Sequence, residues 1–177
     1  AKSILSLAAR TLARDDRLKK VVSVSDLDRL LADAEQRRRA VQTDRVEHAL
    51  AGDVSHALLE IAYRRFRAAR DADADVAGAF EQFLDAHKSA ELDWLERDGI
   101  YEALALESGA DDWHAWGREG GRVLPGDRRL YCPEAGEEDA CRLRSAEIRR
   151  DQATAIERFA FGQFLLQTQH TRMRDAA

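Results

Sequence analysis

Apolar residues along this 177-residue chain return every three or four positions, the spacing that lines one face of an α-helix. In SDLDRLLADAEQ, Leu27, Leu30, Leu31 and Ala34 fall at i, i+3, i+4 and i+7, and Ser25 with Asp28 forms a capping-box-like pair at the start. Thr43 is the next candidate N-cap. After it Val46, Leu50, Val54, Ala57, Leu58, Ile61 and Ala62 keep one face apolar as far as Phe66, with Gly52 a weak point that marks a candidate close helix contact. DADAD, Asp71 to Asp75, is an acidic turn that favours the dipole of the helix behind it, whose stripe is Val76, Phe80, Phe83, Leu84 and His87. Ser89 opens a further run carrying Leu92, Trp94, Leu95, Tyr101, Leu104 and Leu106, and Ser108 with Gly109 closes it. Gly117 to Gly136 reads as loop. A final long helix starts near Glu137 and turns Leu143, Ile148, Ile156, Phe159, Ala160, Phe164 and Leu165 inward.

No stretch of β-branched and aromatic residues alternates with period two for long enough to argue a sheet. The expected fold is therefore all-α, a bundle-like arrangement forming a single domain over 1–177, long enough to bury one core. The pattern places helices at about 3–14, 25–40, 44–70, 74–88, 90–108 and 137–175, with one long loop over 109–136. On the final helix, Phe159, Phe161, Phe164 and Leu165 cover an arc wider than a single stripe, which suits burial on two sides.

Charge narrows the partners. The net charge is −5, and the arginines of RRRA (Arg37 to Arg39) and YRRFR (Arg64, Arg65, Arg67) have acids nearby, so neither nucleic acid nor an anionic membrane is an expected partner. No run approaches the roughly 20 apolar residues of a membrane span, and AKSILSLAARTLARDD lacks the apolar core and cleavage site of a secretory signal. A cytoplasmic location is expected. Cys132 and Cys141 are too few for a zinc site and are read as reduced thiols, with a loop-closing disulfide the alternative. A chain that opens on Ala1 fits a processed product or a piece of a longer one.

The search for chemistry is short. Asp53-x-x-His56 and Asp111-x-x-His114 are the nearest approach to the Glu-x-x-His pairs of a di-metal bundle, and neither supplies the repeated motif; no metal or other cofactor is expected. Ser55 and His56 are adjacent and point apart on a helix, which rules out a nucleophile–base pose. GREGG, Gly117 to Gly121, lacks the strand and the Lys-Ser/Thr ending of a phosphate loop. Phe66 between Arg65 and Arg67 has the spacing of a core residue. What remains is DDWHAW, where Trp113 and Trp116 flank His114 after a helix end. Two aromatic rings there are candidate substrate-binding residues for the C–H faces of a sugar; the plainer reading is that both plug the end of the bundle.

Four stretches in sequence resemble the amylomaltases, the 4-α-glucanotransferases of glycoside hydrolase family 77. AFGQFLLQTQHTRMR, Ala160 to Arg174, is similar to a family pattern of Phe-x-Gln-Trp followed by Gln-Trp, here Phe161, Gln163, Phe164, Gln169 and His170. Phe164 and His170 stand where that pattern has tryptophan. LLEIAYRRFRA resembles the family's aromatic-Arg-Arg-Phe-Arg helix, and FEQFLDAHKSAELDWLERDGIYEALALESG its Phe-x-x-Phe, Trp-Leu, Tyr-x-Ala-Leu succession, with DDWHAW following in place. Beyond these four, LSLAARTLARDDRL, Leu5 to Leu18, resembles the segment leading into these helices.

The resemblance implies a (β/α)8-barrel enzyme with helical insertions, of which this chain is one. The enzyme would disproportionate α-1,4-glucans by retaining transfer, with its acids on later barrel strands, so no residue here is expected to be catalytic. The C-terminal helix would lie against the remainder of the barrel, leaving part of its apolar arc exposed in the isolated chain. A free-standing helical interaction or glucan-binding module, and an unrelated bundle, are the alternatives.

Overall fold

A computed structural model describes residues 9–41, 48–71, 74–88, 94–109, 112–117 and 122–176. Thr43, Val46, Ser89, Leu92, Asp111 and Arg118 to Gly121 lie outside the described residues. Among the described residues there are seven α-helices and no strand: α1 Ala9–Leu12, α2 Val24–Val41, α3 His48–Ala69, α4 Ala74–Lys88, α5 Trp94–Ser108, α6 Glu138–Asp151 and α7 Ala153–Asp175. Short 3-10 turns at Trp113–Ala115 and Pro125–Arg129 break up the long loop. The expected all-α class is observed.

The chain divides into two compact units, Ala1–Ala86 with Phe161–Ala177, and His87–Ala160. In the first, α3, α4 and the second part of α7 meet in a cluster of rings. Phe161 stacks on Phe66 at 4.6 Å between centroids, and Phe80 stands edge-on to both, 5.2 Å from Phe66 and 5.7 Å from Phe161. Tyr63, Phe83 and Phe164 complete the cluster. Every residue from Phe161 to Leu166 is buried. Six consecutive positions exceed one helical turn, so this stretch is covered on all sides rather than along a stripe. The wide arc read in the sequence is thus present, but the chain itself covers it. On α7 the exposed large apolar residue among those described is Met173, and the exposed arc anticipated for an isolated chain is not seen.

The stripe of α2 is rotated from its expected position. Leu31 is exposed, and Asp26 is buried on the inward face with Ala34. Asp26 is tolerated there because Arg29 donates to one carboxylate oxygen at 3.3 Å and Arg65, from α3, to the other. The Ser25–Asp28 capping pair is not formed either: the Ser25 hydroxyl meets that of Ser23 at 2.7 Å, and the Asp28 carboxylate accepts from Arg10 at 3.1 Å.

Before α2, Asp15 is a buried acid held by three donors from Arg17, the backbone N–H at 2.9 Å and the guanidinium at 3.2 and 3.1 Å, and by Arg172 of α7 at 2.9 Å. Burial alone pushes this carboxyl up, but the bonds from Arg17 and Arg172 together outweigh it and hold the pKa at about 2. A carboxylate that titrates lower in the folded than in the unfolded chain stabilises fully above about pH 4, and that contribution is lost as the pH falls toward 2. The expected loss is about 2 kcal/mol. Urea titrations at a series of pH values should show it as an acid limb that Asp15→Asn flattens; an unchanged limb in the variant would assign the acid sensitivity to other groups.

In the second unit, Ile100, Leu104 and Ala105 of α5 pack with Trp116, Val123, Leu130 and Ile148. Gly99 allows α5 and the start of α7 to touch: a Cβ there would stand 3.1 Å from Ile156 and 3.4 Å from Phe159. The span read as one helix over 137–175 is two helices. They meet at Gln152, whose backbone leaves the helical region at φ −112°, ψ 20° while its N–H still reaches the Ile148 carbonyl at 2.8 Å. Neither glycine nor proline marks this break, and the apolar spacing continues across it. Leu143, expected inward, is 66% exposed, because α6 turns Arg144, Ser145 and Ile148 inward instead.

Candidate functional site

The second unit contains an aromatic hollow of about 240 Å³. Three segments build it. Along α5, Ile100 and Leu104 form a floor while Arg97, Asp98 and Tyr101 stand at the side, the i, i+3/i+4 spacing of one helix face. After α5 ends at Ser108, Gly109 adopts a left-handed φ of 65° and redirects the chain. The turn at Trp113–Ala115 is then organised by Asp112, whose Oδ1 accepts the His114 backbone N–H at 2.9 Å and the His114 Nδ1–H at 2.8 Å. That bond sets the imidazole flat against Trp113, at 3.6 Å and 28° between planes.

The two tryptophans therefore do different things. Trp116 is buried in the floor, 5.0 Å from the ring of Tyr101, while Trp113 stands 41% exposed on the wall. The spacing of the pair joined them; the structure separates a packing ring from a presented one.

The third segment is the turn Pro125–Arg129 with Leu130 and Tyr131. Its approach to the first turn depends on Gly117, which has φ 73° and lies so close to Pro125 that a Cβ would fall 2.5 Å from the proline ring. Asp127 anchors this segment. Its buried carboxylate accepts the Leu124 N–H at 2.8 Å and takes two bonds from Arg144 of α6, Nε at 2.9 Å and an Nη at 3.0 Å. Arg144 also donates to the Arg122 carbonyl at 2.6 Å and to Glu147 at 3.2 Å, and the Asp127 hydrogen bonds raise its pKa still further above the ordinary arginine value. The clamp brings Arg128 and Tyr131 to the hollow.

Tyr101 and Tyr131, exposed beside Trp113, complete a set of three presented rings. Tyr101 was legible only as one more apolar residue of α5. Tyr131 and the Asp127–Arg144 pair had no sequence signal, since a loop residue and a partner 17 positions away follow no period. Asp53 and His56 both stand exposed on α3, and among the described residues no group of three His, Cys, Asp or Glu side chains is placed to hold a metal ion. Cys132 and Cys141 are free thiols. Among the described residues, no helix is long and apolar enough to cross a membrane. The first unit has a larger, more open hollow of about 610 Å³, but of its charged side chains Asp15, Arg17 and Arg172 are bound to one another and Asp175 accepts from Arg174.

The family model described as 4-alpha-glucanotransferase, glycoside hydrolase family 77, matches residues 16–177. The chain belongs to that family. No curated protein and no solved structure gives a significant match. Family 77 membership extends over both compact units, so the aromatic hollow lies within the matched region.

Proposed function

We propose that this chain is a helical, non-catalytic region of a 4-α-glucanotransferase, an insertion that supports a (β/α)8 barrel or walls its glucan groove. The observation that carries this reading is the family match across a chain whose described residues are all helix, turn and loop. Retaining transfer between glucans needs a carboxylate nucleophile and a carboxylic acid about 5 Å apart across the scissile bond. The carboxylates of the aromatic hollow are Asp98 and Asp127, and Asp127 already accepts three N–H donors, which leaves it a structural anion. The other hollow is lined by Asp15, which is engaged in the same way, and by Asp175, which accepts from Arg174.

The partner would be the remainder of the barrel enzyme. The buried stretch of Phe161 to Leu166 favours a second reading, a helical module able to stand alone and handle α-glucan without turnover, because the aromatic core of the first unit closes on its own residues. Both readings expect the same assay result. The purified chain, shown helical by circular dichroism, should release no glucose from maltotriose and form no longer maltodextrins. Turnover would overturn both and require an acid pair within this chain.

A further inference from the structure

We propose that the aromatic hollow of the second unit binds the end of a neutral α-1,4-glucan, with Trp113, Tyr101 and Tyr131 as its stacking surfaces. This deepens the functional reading above and rests on it for the choice of ligand. A glucosyl ring has two kinds of surface. Its faces carry C–H groups that lose water readily against an aromatic plane, and its edge carries hydroxyls that must keep hydrogen-bond partners when they leave solvent. The hollow supplies both. Three rings stand 41–48% exposed around an apolar floor, and the rim carries a carboxylate, Asp98, and two guanidinium groups, Arg97 and Arg128.

An aromatic wall of this kind needs a reason to remain open. In the same unit Trp116 shows what burial of such a ring looks like, at 4% exposure within the core. Trp113, three residues earlier, is held out of that core by a capped turn and braced on one side by His114. Bracing lowers the rotamer entropy that a ligand would otherwise have to remove, and so favours binding. Volume limits the occupant. At about 240 Å³ the hollow is smaller than the usual range for drug-sized ligands, which suits a single sugar ring with the rest of the chain running into solvent. Arg97 lies 3.4 Å from Asp98, so the rim is a mixed-sign edge rather than an anion cradle, and a neutral sugar fits it better than a phosphosugar.

Titration of the chain with maltoheptaose, followed by isothermal calorimetry and by ring-proton NMR, tests this. The expected dissociation constant is on the order of 1 mM, as befits a shallow single-ring site. Trp113→Ala and Tyr131→Ala should each weaken binding at least about tenfold, equivalent to about 1.4 kcal/mol. Met173→Ala, on α7 in the other unit, should leave it unchanged. Cellohexaose, whose β-linkage leaves the terminus along a different path, should bind more weakly. Absence of maltoheptaose binding to the folded chain, or binding indifferent to Trp113 and Tyr131, would overturn the assignment, as would preferential binding of glucose 1-phosphate. Each of those outcomes leaves the non-catalytic reading intact, since that reading fails only if the chain turns over maltotriose.

Discussion

Truncation of Phe161 to alanine should destabilise the first unit by about 3–5 kcal/mol, the range for removing a large aromatic side chain from a closed core. Phe161 has no exposed surface and touches four other rings: Phe66 at 4.6 Å, Phe80 at 5.7 Å, and Tyr63 and Phe164 at 5.9 Å. Its neighbours come from α3, α4 and α7, so no single rotamer change can fill the gap. The cavity would be lined by rings that keep their places because other contacts hold them. Urea denaturation followed by far-UV circular dichroism measures the loss as a drop in the transition midpoint at constant slope. A shift worth less than about 1 kcal/mol would mean that the cluster collapses onto the vacancy, and that the stacked arrangement is less close-packed than these distances require.

That cluster was largely legible in the sequence. Phe66, Phe80 and Phe164 each sit on an apolar stripe of period 3.6, and helical periodicity is the strongest local signal a chain carries. The misplacements share one physical origin. Leu31 and Leu143 are apolar and in register, which predicts burial, yet both are exposed, and their faces are turned by a paired charge nearby. Asp26 accepts from Arg65 and Asp127 from Arg144, across 39 and 17 residues of sequence. A buried carboxylate paired in this way overrides a local stripe, and no local pattern announces it. The break at Gln152 was likewise silent, because it needs neither glycine nor proline, only a change of φ and ψ at one residue. The candidate site was half legible. DDWHAW contains both tryptophans that line the hollow, but the division between a packing Trp116 and a presented Trp113 depends on the direction of a capped turn, and Tyr131 arrives from a loop whose position is fixed by the Asp127 clamp.

The clamp makes the last prediction the most informative. Arg144→Ala should destabilise the second unit by about 3 kcal/mol, the lower part of the range for breaking a buried charge pair from one side, since Arg144 itself is a quarter exposed and water can partly replace it. The larger part of that loss is the Asp127 carboxylate, 1% exposed, left with the single donor of Leu124. Asp127→Asn should cost less, because an amide keeps the shape and one acceptor without a buried charge. Joint replacement, Asp127→Leu with Arg144→Leu, should recover much of the Arg144→Ala loss, because it removes the desolvated charge along with its partner. All three tryptophans lie between His87 and Ala160, so tryptophan fluorescence reports on this unit specifically. A functional consequence follows from the same geometry. Releasing the turn at Pro125–Arg129 withdraws Arg128 and Tyr131 from the hollow, so Arg144→Ala should weaken maltoheptaose binding even where the protein remains folded. Strong destabilisation with unchanged glucan affinity would instead place the sugar on Trp113 and Tyr101 alone.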